Sequence, residues 1–200
     1  MKRICVYCGS SDGKRPEYKE AARALGHAML EKGIGLVYGG AQIGIMGEIA
    51  NTVVNGGGEV IGIMPRSLAD REIYHTGLTE LKIVNSMHER KAMMADFSDG
   101  FIALPGGLGT IEEIFEVLTW AQLGFHHKPC ALLNALGYYN HLSAFLDHTR
   151  VEGFVNGASR SMIITEDNPG RLLEQFEAYQ APQVNKWSDR NNTLKKEYSK

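Results

Sequence analysis

The chain has 200 residues, 44% of them apolar, which suits one domain with a sizeable core. A formal charge of -2 gives no electrostatic case for a nucleic-acid partner, and no apolar stretch approaches membrane-spanning length. The apolar run within Met1–Cys8 is too short for a signal peptide, and three cysteines form no disulfide framework, so a cytoplasmic setting is expected.

Ile4 to Cys8 reads as a first short strand, followed by Gly9-Ser10-Ser11-Asp12-Gly13. A helix is predicted from about Pro16 to Lys32, with Ala21, Leu25, Ala28 and Met29 as its apolar face and Gly33 as its stop. Leu36-Val37-Tyr38 is a second strand, leading into a glycine-rich turn at 39–47 and a helix to Val54. Further strands are expected at Val60–Met64, Leu81–Val84, Phe101–Leu104, Cys130–Leu133 and Met162–Ile164. Seven strands alternating with helical patterns imply an α/β fold, a single-domain, doubly wound, parallel, Rossmann-like sheet over residues 1–180. Residues 181–200 lose periodicity and read as a flexible, solvated C-terminal tail. In such sheets ligands bind outside the carboxyl ends of the strands, so the turns at 9–13, 39–47 and 105–110 should open on one crevice.

The chain's most informative string is Pro105-Gly106-Gly107-Leu108-Gly109-Thr110-Ile111-Glu112-Glu113. An apolar strand precedes it, and Ile111, Ile114, Phe115, Leu118 and Ala121 follow at helical spacing. Three glycines allow close backbone approach to a ligand, and the free N–H groups of a first helical turn attract an anion, so a phosphate site is expected. Taken alone, Thr110-x-x-Glu113 is best explained as a capping box. A dinucleotide turn fits less well, because an acid at Glu112 would repel a pyrophosphate.

Other motifs fall away on inspection. Cys5-Val6-Tyr7-Cys8 matches C-x-x-C, but strand alternation points the two thiols to opposite faces, which suits core cysteines. Gly9-x-Ser11-x-Gly13 matches a nucleophile elbow, yet only one strand precedes it and no earlier loop exists for an oxyanion hole. Ser10 and Ser11 remain either phosphate or ribose contacts or a polar turn. Gly39 to Gly44 has P-loop spacing, with Ile45-Met46 where a lysine and a hydroxyl are required. The histidines show no metal spacing, and neither a metal nor a cofactor is implied. Arg90 falls on an apolar helical stripe with Met87, Met94 and Phe97, so it must either find an anion, as an ion pair with an acid such as Glu112 or Glu113 or as a clamp on an anionic ligand, or snorkel out to water.

The nine-residue string resembles the PGGxGTxxE motif of the Lonely guy (LOG) family, cytokinin riboside 5'-monophosphate phosphoribohydrolases formerly labelled lysine decarboxylases. The resemblance runs from about residue 3 to 178. It implies N-glycosidic hydrolysis of a purine-type nucleoside 5'-monophosphate, either a cytokinin riboside 5'-monophosphate or AMP, giving free base and ribose 5-phosphate. Ser86–Met94 resembles the family segment around MxxRK, which makes Arg90 catalytic and Lys91 a substrate contact. Glu72 and Thr119 match two further substrate-contacting positions. Gly106, Gly107, Leu108, Gly109, Thr110 and Ile111 would bind substrate, the glycines and Thr110 through its phosphate. Glu113, with Glu112 second, would be the catalytic acid residue, kept ionised by the helix N-terminus. The family resemblance also implies a homodimer with the motif helix near the interface, although the Ile111/Ile114/Phe115/Leu118 face could equally pack on the sheet. A competing class is a nucleotide or cofactor carrier without catalytic activity, because molybdenum-cofactor carriers are similar in architecture. A decarboxylase would need a Schiff-base lysine, for which Lys91 is the one candidate near the site.

Overall fold

Short apolar strands, buried through the centre of the sheet and partly exposed at its two edges, set the architecture. The computed structural model describes residues 1–69 and 74–182. Strands β1 (Arg3–Tyr7), β2 (Gly35–Tyr38), β3 (Val60–Pro65), β4 (Glu80–Val84), β5 (Phe101–Ala103), β6 (Cys130–Leu133) and β7 (Ile163–Glu166) form one sheet. Its order is β4-β3-β2-β1-β5-β6-β7, and every neighbouring pair is parallel. Near-continuous apolar strands are what a sheet covered on both faces requires.

Helices α1 (Glu17–Glu31), α2 (Gly44–Asn55) and α8 (Pro169–Glu177) cover one face, where Leu25, Ile49 and Leu172 pack on Ile4, Leu36 and Ile102. Helices α4 (Met87–Asp96), α5 (Leu108–Gln122) and α6 (Asn140–Val151) cover the other, where Met94, Ile114 and Leu146 pack with Ile63, Phe101 and Leu132. Two four-residue helices, α3 (Arg66–Ala69) and α7 (Gly157–Arg160), complete the set. Cys5 lies in the second core and Cys8 in the first, as alternation requires. Burial pushes both thiols well above their ordinary range, so neither is a reactive thiolate.

The chain winds outward from β1 to β4, then returns to β5 and winds the other way. The reversal falls between β1 and β5, so the loops after these two strands flank the crevice where such sheets bind ligands. They touch there: Gly9 N–H donates to Pro105 O at 3.2 Å, and Met46 N–H, in the first turn of α2, donates to Gly9 O at 3.2 Å. Among the described residues, no helix is long and apolar enough to cross a membrane. The tail expected at 181–200 lies, apart from its first two residues, outside the described residues.

Candidate active site

Helix α5 starts at Leu108, with Gly107 as its N-cap and no side-chain cap. The capping box expected at Thr110 and Glu113 is therefore not formed. Thr110 is the third helical residue, buried with its hydroxyl tucked against Gly106, where a Cβ would collide with it. Glu113 turns toward α4 instead. The cap of this kind in the neighbourhood belongs to α4, where Ser86 Oγ accepts Glu89 N–H at 3.1 Å and Glu89 Oε2 accepts Asn85 N–H at 2.8 Å. The Ser86-x-x-Glu89 spacing could have revealed it.

That cap launches α4 so that Arg90 points into the protein. Arg90 Nη1 lies 3.1 Å from Glu113 Oε1, and each side chain keeps only 9% of its exposure. Arg90 Nε donates to Ile63 O at 3.1 Å. Its guanidinium occupies the space beside Gly39 that a Cβ would fill. Of the predicted apolar stripe, Met94 is buried and Phe97 half-buried, whereas Met87 is 41% exposed. Next to this pair, Lys91 Nζ bridges Glu112 Oε1 at 2.7 Å and Glu116 Oε1 at 2.9 Å, one turn apart on α5. Glu116 was not among the expected site residues, although it lies on the same helical face four residues beyond Glu112.

Burial raises the Glu113 carboxyl above its ordinary value. Arg90 opposes this, and the neighbouring Glu112 and Glu116 reinforce it. The helix N-terminus was expected to hold this acid low, but the loss of solvent around the side chain is the larger effect. Burial also works against the Lys91 ammonium, but its bonds to Glu112 and Glu116 win and raise its pKa.

On the other flank of the motif loop lies a crevice of about 310 Å³ at the sheet's reversal point. Gly9, Ser10, Ser11, Gly106 and Gly107 line it, together with Tyr18 and Tyr138. Both serines are exposed. The structure thus brings Ser10, Ser11 and the glycines together on one side of the loop, and Arg90, Lys91, Glu112 and Glu113 on the other. Leu108 is exposed at the helix start, and Ile111 is half-buried.

Thr119 is not brought to this place. It lies nine residues beyond Thr110 on the same helix, about 13 Å along the axis. Its hydroxyl donates to Phe115 O at 2.7 Å, and it lines a small apolar groove with Phe115, Leu118, Leu146 and Ile163. Glu72 falls outside the described residues. Among the described residues, no cluster of three or more histidine, cysteine or acidic side chains is placed to hold a metal.

A doubly wound parallel sheet with glycine loops meeting at its reversal point defines an α/β protein of the Rossmann-like class. The family model described as "Possible lysine decarboxylase" matches residues 46–176. Two cytokinin riboside 5'-monophosphate phosphoribohydrolases of Arabidopsis thaliana are each 51% identical to this chain. The alignments cover 90% of this chain and 83% and 84% of those enzymes. The chain therefore belongs to the Lonely guy family, and it is an enzyme of that phosphoribohydrolase type. Among solved structures, a molybdenum cofactor binding protein from Rippkaea orientalis matches with TM-score 0.66 and 21% identity, over 89% of this chain and 97% of that one. A molybdenum cofactor carrier protein from Chlamydomonas reinhardtii matches with TM-score 0.67 and 19% identity, over 88% and 98%. At such identities the likeness is one of fold.

Proposed function

We propose that this enzyme hydrolyses the N-glycosidic bond of a purine-type nucleoside 5'-monophosphate, either AMP or a cytokinin riboside 5'-monophosphate. Water is the second reactant, and the products are free base and ribose 5-phosphate. The observation that carries this reading is the buried Arg90–Glu113 pair beside a loop of free N–H groups.

The glycine loop, Thr110 and the serines take the 5'-phosphate in the crevice, which places the ribose over the start of α5. As the bond to the base breaks, its electron pair leaves with the base and positive charge develops on the ribose. The Glu113 carboxylate stabilises that charge, and its raised pKa makes it a better acceptor for the proton of the attacking water. The hydroxyl ends on the ribose, and the proton ends on the departing base, which took the bond's electron pair. Arg90 orients Glu113, while Lys91 holds Glu112 and meets the substrate. The three acids Glu112, Glu113 and Glu116 outnumber the two cations, so this flank suits a developing cation and the phosphate belongs on the other. A carrier needs the glycines but has no use for a buried Arg90–Glu113 pair. A decarboxylase reading fits poorly, because a Schiff base needs a neutral amine and Lys91 is held as an ammonium by two carboxylates.

The enzyme works in the cytoplasm as a homodimer on this reading. Leu123, Phe125, Phe145, Val151 and Phe154 are exposed apolar residues on α6 and on the segments that follow α5 and α6, the side of the molecule that carries the Thr119 groove, and a second copy would cover them.

The test is base release, followed by chromatography, from AMP and from isopentenyladenosine monophosphate, with Glu113→Gln as control. Release from either substrate that is lost in the variant is the expected result. Tight AMP binding without release from any nucleotide would overturn the hydrolase and leave a carrier.

A further inference from the structure

The segment after β6 grips the motif loop at two carbonyls. Tyr139 Oη donates to Leu104 O at 2.6 Å in the core, and Tyr138 Oη donates to Gly106 O at 2.7 Å at the crevice. These carbonyls flank Pro105. Asn134 anchors the segment from behind, accepting Tyr139 N–H at 2.7 Å and donating to Asn140 Oδ1 at 2.8 Å. Two successive left-handed residues, Leu136 at φ 55° and Gly137 at φ 72°, turn the chain back toward the loop. A left-handed leucine costs about 1–2 kcal/mol, and such strain persists where surrounding contacts over-determine it. The Tyr138 ring then stands against Tyr18, edge to face with centroids 5.6 Å apart, on the wall of the crevice.

The bond to Gly106 matters because of what the loop lacks. Gly107 and Gly109 have no side chains, and nothing lies within 4 Å of where their Cβ atoms would be, so packing steadies the peptide between Gly106 and Gly107 only from the Gly106 side, against Thr110 and Gly9. In a trans peptide the C=O and the N–H point in opposite directions. A donor on the Gly106 carbonyl therefore fixes where the Gly107 N–H points, and it keeps the negative end of that peptide from turning toward a bound anion.

We propose that Tyr138 is a positioning residue for the phosphate group of the substrate, acting through its hydrogen bond to the Gly106 carbonyl. This rests on the reading of the loop as a 5'-phosphate site. With Tyr138 in place the loop presents a fixed set of N–H donors. Without its hydroxyl the Gly106 carbonyl loses this donor, the Gly106–Gly107 plane is held less firmly, and part of the binding energy is spent in ordering it.

The experiment is Tyr138→Phe, which keeps the ring and removes one oxygen. Binding of AMP, ribose 5-phosphate and adenosine is measured by calorimetry, and kcat and KM are measured for AMP. The expected result is affinity about tenfold weaker for AMP and ribose 5-phosphate, unchanged affinity for adenosine, and KM raised with kcat within about twofold. Unchanged AMP affinity, an equal loss for adenosine, or a loss confined to kcat would overturn the proposal. Calorimetry needs no turnover, so a wild-type protein that binds AMP without releasing base would sink the hydrolase reading and still leave Tyr138 tested.

Discussion

Arg90 and Glu113 form an ion pair at 3.1 Å in which each side chain keeps only 9% of its exposure. Removing two charges from water costs several kcal/mol per ion, whereas a fully buried isoleucine or leucine at such a place would contribute roughly 1.5–3 kcal/mol. The pair is therefore a poor device for stability, and its retention points to chemistry. Arg90→Ala leaves the Glu113 carboxylate buried and alone. A loss of about 3–5 kcal/mol of unfolding free energy is expected, together with loss of base release. Arg90→Lys restores the charge but not the fork that reaches both Glu113 and Ile63 O, so stability should recover more than activity. Urea titration beside a turnover assay checks both, and equal recovery of the two would refute the orienting role.

The raised Glu113 carboxyl makes the protein's behaviour depend on pH in two ways. Its ordinary value is 4.5, so at pH above 4.5 and up to the raised value the folded state holds a proton that the unfolded chain has released. The stability this group contributes is present in full below pH 4.5 and is lost as pH rises through the folded-state value. Relative to Glu113→Gln, the wild type should thus lose stability as pH rises from 4 to 8, whatever the offset between the two proteins at low pH. Because the ionised form is the active one, kcat/KM for AMP should rise with pH along an acid limb centred above 4.5. Paired denaturation curves and a pH–rate profile check this. A limb at or below 4.5 would remove Glu113 from the role.

Much of this fold was legible because each strand is a short apolar run closed by glycine, proline or a helical pattern. Cys130–Leu133 was placed to the residue, and the others to within one or two positions at each end. Arg90 was legible as a residue that needs an anion or a route to water, since it shares one helical face with Met94 and Phe97, and the structure buries it against an acid. Which acid it meets was not, because Glu112 and Glu113 differ by one step around α5 and the outcome depends on where that helix begins. Local pattern suggested Thr110 as the cap, but the glycines let the helix start three residues earlier, at Leu108 with Gly107 as the cap. Tyr138 and Tyr139 gave no signal, since their hydroxyls reach back 32 and 35 residues to partners on another strand's loop. Such contacts appear only once the sheet has brought β5 and β6 side by side.

Two glycines, Gly39 just after β2 and Gly44 at the start of α2, divide structure from function. A Cβ at Gly44, which also sits at φ 65°, would strike the backbone of Ser10 and Ser11. Gly44→Ala should therefore destabilise the fold by about 2 kcal/mol or more, because backbone cannot move aside cheaply. A Cβ at Gly39 meets the end of the Arg90 guanidinium instead. Gly39→Ala should shift Arg90 off Glu113, lowering kcat at least tenfold with a smaller change in melting temperature. Comparing the two variants by thermal melts and turnover checks the division. A Gly39→Ala enzyme with full kcat would show that the position of Arg90 does not matter.

Leu136 offers a gain rather than a loss. It has φ 55° and ψ 24°, and its side chain is 49% exposed, so little packing is lost on truncation. Glycine adopts this conformation without a Cβ clash, although it adds freedom to the unfolded chain worth roughly 0.5–1 kcal/mol. Relief of strain worth about 1–2 kcal/mol outweighs that entropy, and Leu136→Gly should stabilise the protein by up to about 1 kcal/mol. The melting temperature should rise by a few degrees. The same change loosens the segment that carries Tyr138, so AMP affinity should stay level or weaken while stability increases. A melting temperature that falls would mean that the leucine's contacts, rather than its backbone angle, dominate at this turn.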